Sequence, residues 1–180
     1  MKKLLLTISL LLLSLTLYSQ ITSWKYYKSQ INTGIGNCGP TCAAMAIYWS
    51  NNIDVSVQKL RSIIGYKTPD GNTTIEDLQF LLNFYVVKNE LYTFNRISEL
   101  KDFVNNNKLA IILIQTKFFK DYGFDASHFI ILSAVLDQKT YRVQDPLLGP
   151  DREFDMPTLQ KAVGINNIAI IVSTSEGKNY

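Results

Sequence analysis

Apolar residues recur at helical spacing through the first half of the chain and gather into short unbroken runs in the second. The stretch "CGPTCAAMAIYWS" (38–50) sets Cys42, Met45, Ala46 and Trp49 at helical spacing, and Pro40 is tolerated in a first turn. The same pattern predicts a helix over 55–65 closed by Gly65, and a helix over 73–85 opened by a capping box of Thr73 and Glu76. A fourth helix starts at Ser98. After Asn107, the runs "LAIILIQT" (109–116), "HFIILSAVL" (128–136), "YRVQD" (141–145) and "NIAIIVST" (167–174) are apolar and β-branched and predict strands. A short helix over 157–163 precedes the last of them. Residues 20–37 are mostly polar, with glycines at 34 and 36, and read as an extended lead-in and loop. Helices first and sheet second predict an α+β fold with a largely antiparallel sheet.

The N-terminus changes the picture. Lys2 and Lys3 precede an apolar run from Leu4 to Leu17, and the small residue Ser19 comes before Gln20. That order predicts a signal peptide over 1–19 and an exported chain, periplasmic or secreted. The run is shorter than the roughly 20 residues a spanning helix needs, so no stable membrane insertion is expected once it is cleaved. Residues 20–180 form one domain with no linker inside it. Cleavage removes two lysines and leaves 16 basic residues against 15 acidic ones. With no basic run and no interleaved aromatic platform, nucleic-acid binding is not expected.

An exported chain with two cysteines invites a disulfide. Helical geometry resists one between Cys38 and Cys42. Positions i and i+4 are about 6 Å apart along the axis, and their Cβ bonds tilt the same way. A zinc site is also disfavoured, because the chain holds one histidine and two cysteines. A thiol at a helix N-terminus is instead a candidate nucleophile, since oriented N–H groups favour the thiolate. Cys38 has that position; Cys42, one turn deeper on the apolar side, reads as a core residue.

A thiolate nucleophile needs a proton partner, and His128, at the start of a strand, is the only histidine. Asp145 ends the next strand, ahead of Pro146, and can orient the imidazole. If Asp137 and Gln138 form a two-residue turn, paired residue numbers across the hairpin add to 275. Asp145 then lies opposite Ile130, on the same face as His128 and diagonal to it. A sum of 273 puts the pair directly opposite. An even sum separates them unless a bulge intervenes. Asp125, in the loop "FDASHF", is the competing acid and reads as a turn residue.

"NCGPTCAAMA", then "SHFIIL", then "VQDPLLG" resembles the bacteriocin-processing (double-glycine leader) family of papain-like cysteine peptidases over residues 30–173. The resemblance implies a papain-like fold with Cys38 as nucleophile, His128 as general base and Asp145 as orienting residue. It implies a peptide or protein substrate and no metal or organic cofactor. The family places a glutamine six residues before the cysteine to hold the oxyanion. Here that position is Asn32, with Gln30 two residues further back, and both remain candidates. The best-known members are fused to transporters and act in the cytoplasm, whereas this chain reads as a stand-alone exported member. The leading expectation is an exported cysteine peptidase working through an acyl-enzyme. The same constellation also serves cell-wall peptide amidases and acyl transferases, and a binding module with an idle Cys38 is the non-enzymatic alternative.

Overall fold

Helix α1 (Cys38–Asn51) is apolar on every side, and such a helix is expected to be buried all round. Every residue from Gly39 to Ile47 is buried, with Trp49 and Ser50. The computed structural model from which this is read describes residues 24–34, 36–66, 72–164 and 166–174. The expected signal peptide lies outside the described residues. Among those residues, no helix is long and apolar enough to cross a membrane.

Helices α2 (Val57–Ile64) and α3 (Ile75–Phe84) pack against α1. Ser56 opens α2 by accepting from the Lys59 amide, and Gly65, at φ +68°, closes it. The capping box of α3 sits one residue later than the sequence predicts. Thr74 accepts from the Asp77 amide at 3.2 Å, and Asp77 accepts from the Thr74 amide at 3.1 Å. Thr73 is thereby left free to bond elsewhere. Its hydroxyl accepts from Arg61 at 2.9 Å and donates to the Gly36 carbonyl at 3.2 Å. Its methyl presses on α1 so closely that a Cβ at Gly39 would fall 2.7 Å from it. No side chain fits at position 39, which accounts for the glycine beside Cys38.

Six strands form one sheet: β1 (Asn89–Thr93), β2 (Leu109–Gln115), β3 (Ser127–Val135), β4 (Thr140–Asp145), β5 (Gly149–Asp155) and β6 (Ile168–Val172). Their order is β1-β6-β2-β3-β4-β5 and every pairing is antiparallel. The fourth predicted helix is a 3₁₀ turn (Ile97–Leu100) running into α4 (Lys101–Asn105). Helix α5 (Met156–Val163) starts at Asp155, whose side chain accepts from the Thr158 amide at 2.9 Å.

Both faces of the sheet are covered. Leu109, Ile111, Phe129, Ile131, Ile170 and Val172 pack with α1, α2 and α3. The alternate residues Ala110, Ile112, Ile114, Ile130 and Leu132 pack with Leu100, Val104 and α5. Covering on two sides explains why the central strands read as continuous apolar runs instead of alternating ones. The outermost strands, β1 and β5, escape the sequence reading for the complementary reason. "NELYT" and "GPDREFD" are polar because an edge strand faces water, and Pro150 costs no ladder bond there.

The β3–β4 hairpin differs from the expected two-residue turn. Val135 pairs with Tyr141 and Ala134 with Arg142, so the numbers near the tip add to an even 276 and Asp137, Gln138 and Lys139 form the connection. The Leu136 amide bonds the Thr140 carbonyl, and Asp137 accepts from the Lys139 amide. Between Leu132 and Ala134 the register shifts by one, leaving Ser133 unpaired. Beyond it, Leu132 meets Val143 and Ile131 meets Gln144, which restores the sum of 275. A longer tip and a bulge therefore cancel, and Asp145 returns to the face of His128.

Candidate active site

Cys38 is the first residue of α1, half-buried, with its thiol unbonded to Cys42. The loop before it turns through Gly34 and Gly36, at φ +105° and +69°. Arg61 of α2, almost wholly buried, clamps this loop. Its Nε donates to Asn37 Oδ1 at 2.7 Å, its Nη2 to the Gly36 carbonyl, and its Nη1 to the Gly65 carbonyl at 3.2 Å. A single guanidinium thus fixes the two residues upstream of the thiol, and its charge attracts the Cys38 thiolate. Nothing in the sequence pattern marks Arg61, which sits in an ordinary amphipathic helix.

The His128 ring, buried at the start of β3, lies between Cys38 and Asp145. Its Nε2 is 3.0 Å from Asp145 Oδ1, which leaves Nδ1 for the Cys38 thiol, the group whose titration the ring influences. The Asp145 carboxylate is completely buried. Its Oδ1 also accepts from the Leu147 and Leu148 amides at 2.8 and 2.9 Å, and its Oδ2 accepts from the Tyr122 hydroxyl.

The charges respond accordingly. Burial pushes the Cys38 thiol up, but the His128 hydrogen bond and charge, with backbone hydrogen bonds at Phe129 and Gly39, bring it below its ordinary value. Burial pushes His128 down, and its bonds to Asp145 and Cys38 outweigh that and raise it to about 9. Asp145 is lowered because burial is overcome by His128, Tyr122 and the Leu148 amide. Thiol down and imidazole up is the direction that favours a thiolate–imidazolium pair. Cys42 goes the other way: complete burial, with Cys38 and Asp145 nearby, raises its thiol well above normal. It donates to the Phe129 carbonyl at 3.4 Å.

The two oxyanion candidates separate. Asn32 is exposed and occupies a turn at φ +66°. Gln30 is half-buried, its amide N–H held by the Pro146 carbonyl at 2.9 Å, and its buried side-chain Oε1 has no hydrogen-bond partner. Asp125 is exposed in its loop and pairs with Lys117 at 3.5 Å, away from the histidine. Beside Cys38 opens a cavity of about 350 Å³ whose walls include Thr73, Ile75, Leu113, Phe129 and Ile168, with no charged residue among those lining it.

No family model matches the sequence, and no curated protein matches it either. Solved structures do resemble the fold. A chain described as a C39-like peptidase from Bacillus anthracis superposes with a TM-score of 0.63 at 20% identity, over 84% of this chain and 95% of that one. The peptidase domain of Streptococcus ComA, a bi-functional ABC transporter of a quorum sensing pathway, gives 0.61 at 16% identity, over 82% and 97%. A double glycine motif protease from an AMS/PCAT transporter, in complex with the leader peptide, gives 0.59 at 15% identity, over 86% and 100%. At these identities the likeness establishes the fold, which is the papain-like one of these peptidase structures.

Proposed function

We propose that this chain is an exported cysteine peptidase in which Cys38, His128 and Asp145 act as one unit. The observation that carries the reading is the buried His128 ring, held through Nε2 by the buried Asp145 carboxylate at 3.0 Å and acting on the Cys38 thiol, which it brings below its ordinary value. The thiolate attacks the carbonyl carbon of a peptide bond, and its electrons pass to the carbonyl oxygen. The Cys38 amide and the Gln30 side-chain amide hold that oxygen. Gln30 is preferred to Asn32 because its side chain is half-buried, whereas Asn32 is exposed. Imidazolium then gives its proton to the departing amine as the C–N bond breaks, leaving a thioester on Cys38. Neutral His128 takes a proton from water, the hydroxide oxygen attacks the thioester carbon, and thiolate leaves. Asp145 keeps the ring oriented and stabilises its charged form throughout. The leader peptide bound to a similarly folded protease supports a peptide substrate. The uncharged cavity beside Cys38 suits neutral side chains on that substrate.

Two measurements test this reading. With iodoacetamide at mildly acidic pH, Cys38 should be labelled rapidly and Cys42 not at all, and labelled protein should no longer cleave peptides. His128→Ala should move the labelling of Cys38 to alkaline pH. Equal labelling of both thiols, governed only by an ordinary thiol titration, counts against an activated nucleophile. Export is tested separately: mass spectrometry of the natively produced protein should find a chain beginning near Gln20. A chain still carrying residues 1–19 points to retention at a membrane.

A further inference from the structure

The Asp145 carboxylate has a donor that the peptidase reading does not use. Three groups reach its Oδ1, namely His128 Nε2 and the Leu147 and Leu148 amides, while Oδ2 accepts from the hydroxyl of Tyr122. Tyr122 lies in the stretch between the 3₁₀ turn Thr116–Phe118 and β3, and it is buried although its neighbours Asp121 and Gly123 are exposed.

That stretch is built to bring one side chain inward. Thr116 closes its neck: the Thr116 amide bonds the Ala126 carbonyl at 3.0 Å, its hydroxyl donates to the Phe124 carbonyl at 2.6 Å and accepts from the Ala126 amide at 2.9 Å. Strand β5 holds it from outside, with Arg152 donating to Asp121 at 2.6 Å and Phe154 stacked on Phe119 at 4.4 Å. Between these fixed points the Tyr122 ring meets the His128 ring edge-on, centroids 5.3 Å apart. It touches both partners of the pair at once.

We propose that Tyr122 is a positioning residue of this site: its hydroxyl fixes the second oxygen of Asp145, and its ring screens the His128–Asp145 bond from water. A carboxylate bonded at one oxygen only can rotate about its χ2 angle and admit water as a competitor for His128. With Oδ2 also held, its plane is set, and the imidazole is set by it. The other titratable groups near the carboxylate are Tyr27 and Cys42, and both are pushed toward their neutral forms by burial. Tyr122 is likewise held neutral, by burial and by the Asp145 charge, and so remains a donor across the working range. The effect on rate rests on the peptidase reading above; the effect on the histidine does not.

The chain has one histidine, so its ring signals need no assignment in tag-free protein. Tyr122→Phe keeps the ring packing and removes only the donor. Followed by NMR, His128 in this variant should titrate at lower pH than in the unaltered chain, and its Nε2 proton should exchange faster with water. For peptide hydrolysis, kcat should fall roughly tenfold, the scale of one supporting hydrogen bond, with KM unchanged. A folded variant whose His128 titrates and exchanges as before overturns the proposal, because a residue that only packs is served equally well by Phe. Should the variant not fold, the unaltered chain decides: the Tyr122 hydroxyl proton must be visible and slowly exchanging, and a rapidly exchanging hydroxyl sinks the idea. If no peptide is cleaved by either form, the peptidase reading fails while the histidine titration still returns its own answer.

Discussion

Cys38→Ala and His128→Ala should each reduce peptide hydrolysis by about 10⁴-fold or more, and the double variant should be scarcely slower than either single one. The sulfur and the ring form one device. Without the imidazole the thiol loses the bond and charge that lower it below its ordinary value, and without the thiol the imidazole has no nucleophile to serve. Free energies of groups that act together do not add, so multiplied losses would mean that the two work independently. Cys42→Ala provides the contrast. Its thiol is wholly buried and raised well above normal, so the change should cost about 1 kcal/mol of stability and leave kcat/KM intact. Steady-state kinetics on one peptide, with urea melts of all four variants, reads both outcomes.

Asp145→Ala and Asp145→Asn should part company. Alanine leaves His128 Nε2, two backbone amides and the Tyr122 hydroxyl without their shared acceptor in a fully buried site. The loss should be on the order of 3–5 kcal/mol. Asparagine can keep its oxygen toward His128, Leu147 and Leu148, and offer its NH₂ to a Tyr122 hydroxyl turned to accept. The fold should survive, and the rate should fall by roughly 10²-fold because an amide cannot stabilise imidazolium. Stability against pH gives a second reading. His128 has a folded value of about 9 against an ordinary 6.5, so its contribution is full below 6.5 and disappears as pH rises through about 9. Asp145 is lowered, so its share is present above the ordinary carboxylate range and is lost as pH falls through its folded value. In Asp145→Asn the alkaline decline between 6.5 and 9 should flatten and the share of the acid decline due to Asp145 should disappear. An unchanged alkaline slope would show that Asp145 is not what raises His128.

The parts of this site legible in the sequence are those whose residue type is scarce or whose neighbours are distinctive. One histidine, two cysteines at helical spacing and an Asp-Pro at a strand end leave few ways to assemble a thiol site. Arg61 and Tyr122 cannot be found that way. Each acts through tertiary contacts across long sequence separations, Arg61 on the loop before Cys38 and Tyr122 on a strand 23 residues later. The chain also holds ten tyrosines, so type alone selects none of them. The capping box falls one residue later than expected because Thr73 and Thr74 are chemically equivalent locally. What separates them is that Thr73 faces Gly39 and Arg61. Edge strands escape detection because their polar pattern is set by solvent.

The paired irregularities of the β3–β4 hairpin amount to a parity rule. His128 and Asp145 are 17 positions apart, and at that separation a three-residue tip leaves them in phase only with the bulge, as a two-residue tip does only without it. With the sequence unchanged, pairing Ser133 into the ladder while the tip keeps three residues would put Asp145 opposite Ile131 and turn the carboxylate out of phase. At a constant His-to-Asp separation the tip and the bulge can therefore change only together. A related chain that keeps 17 positions from its histidine to its aspartate should lack the bulge if its tip has two residues and carry it if its tip has three, however far the rest of the sequence has drifted.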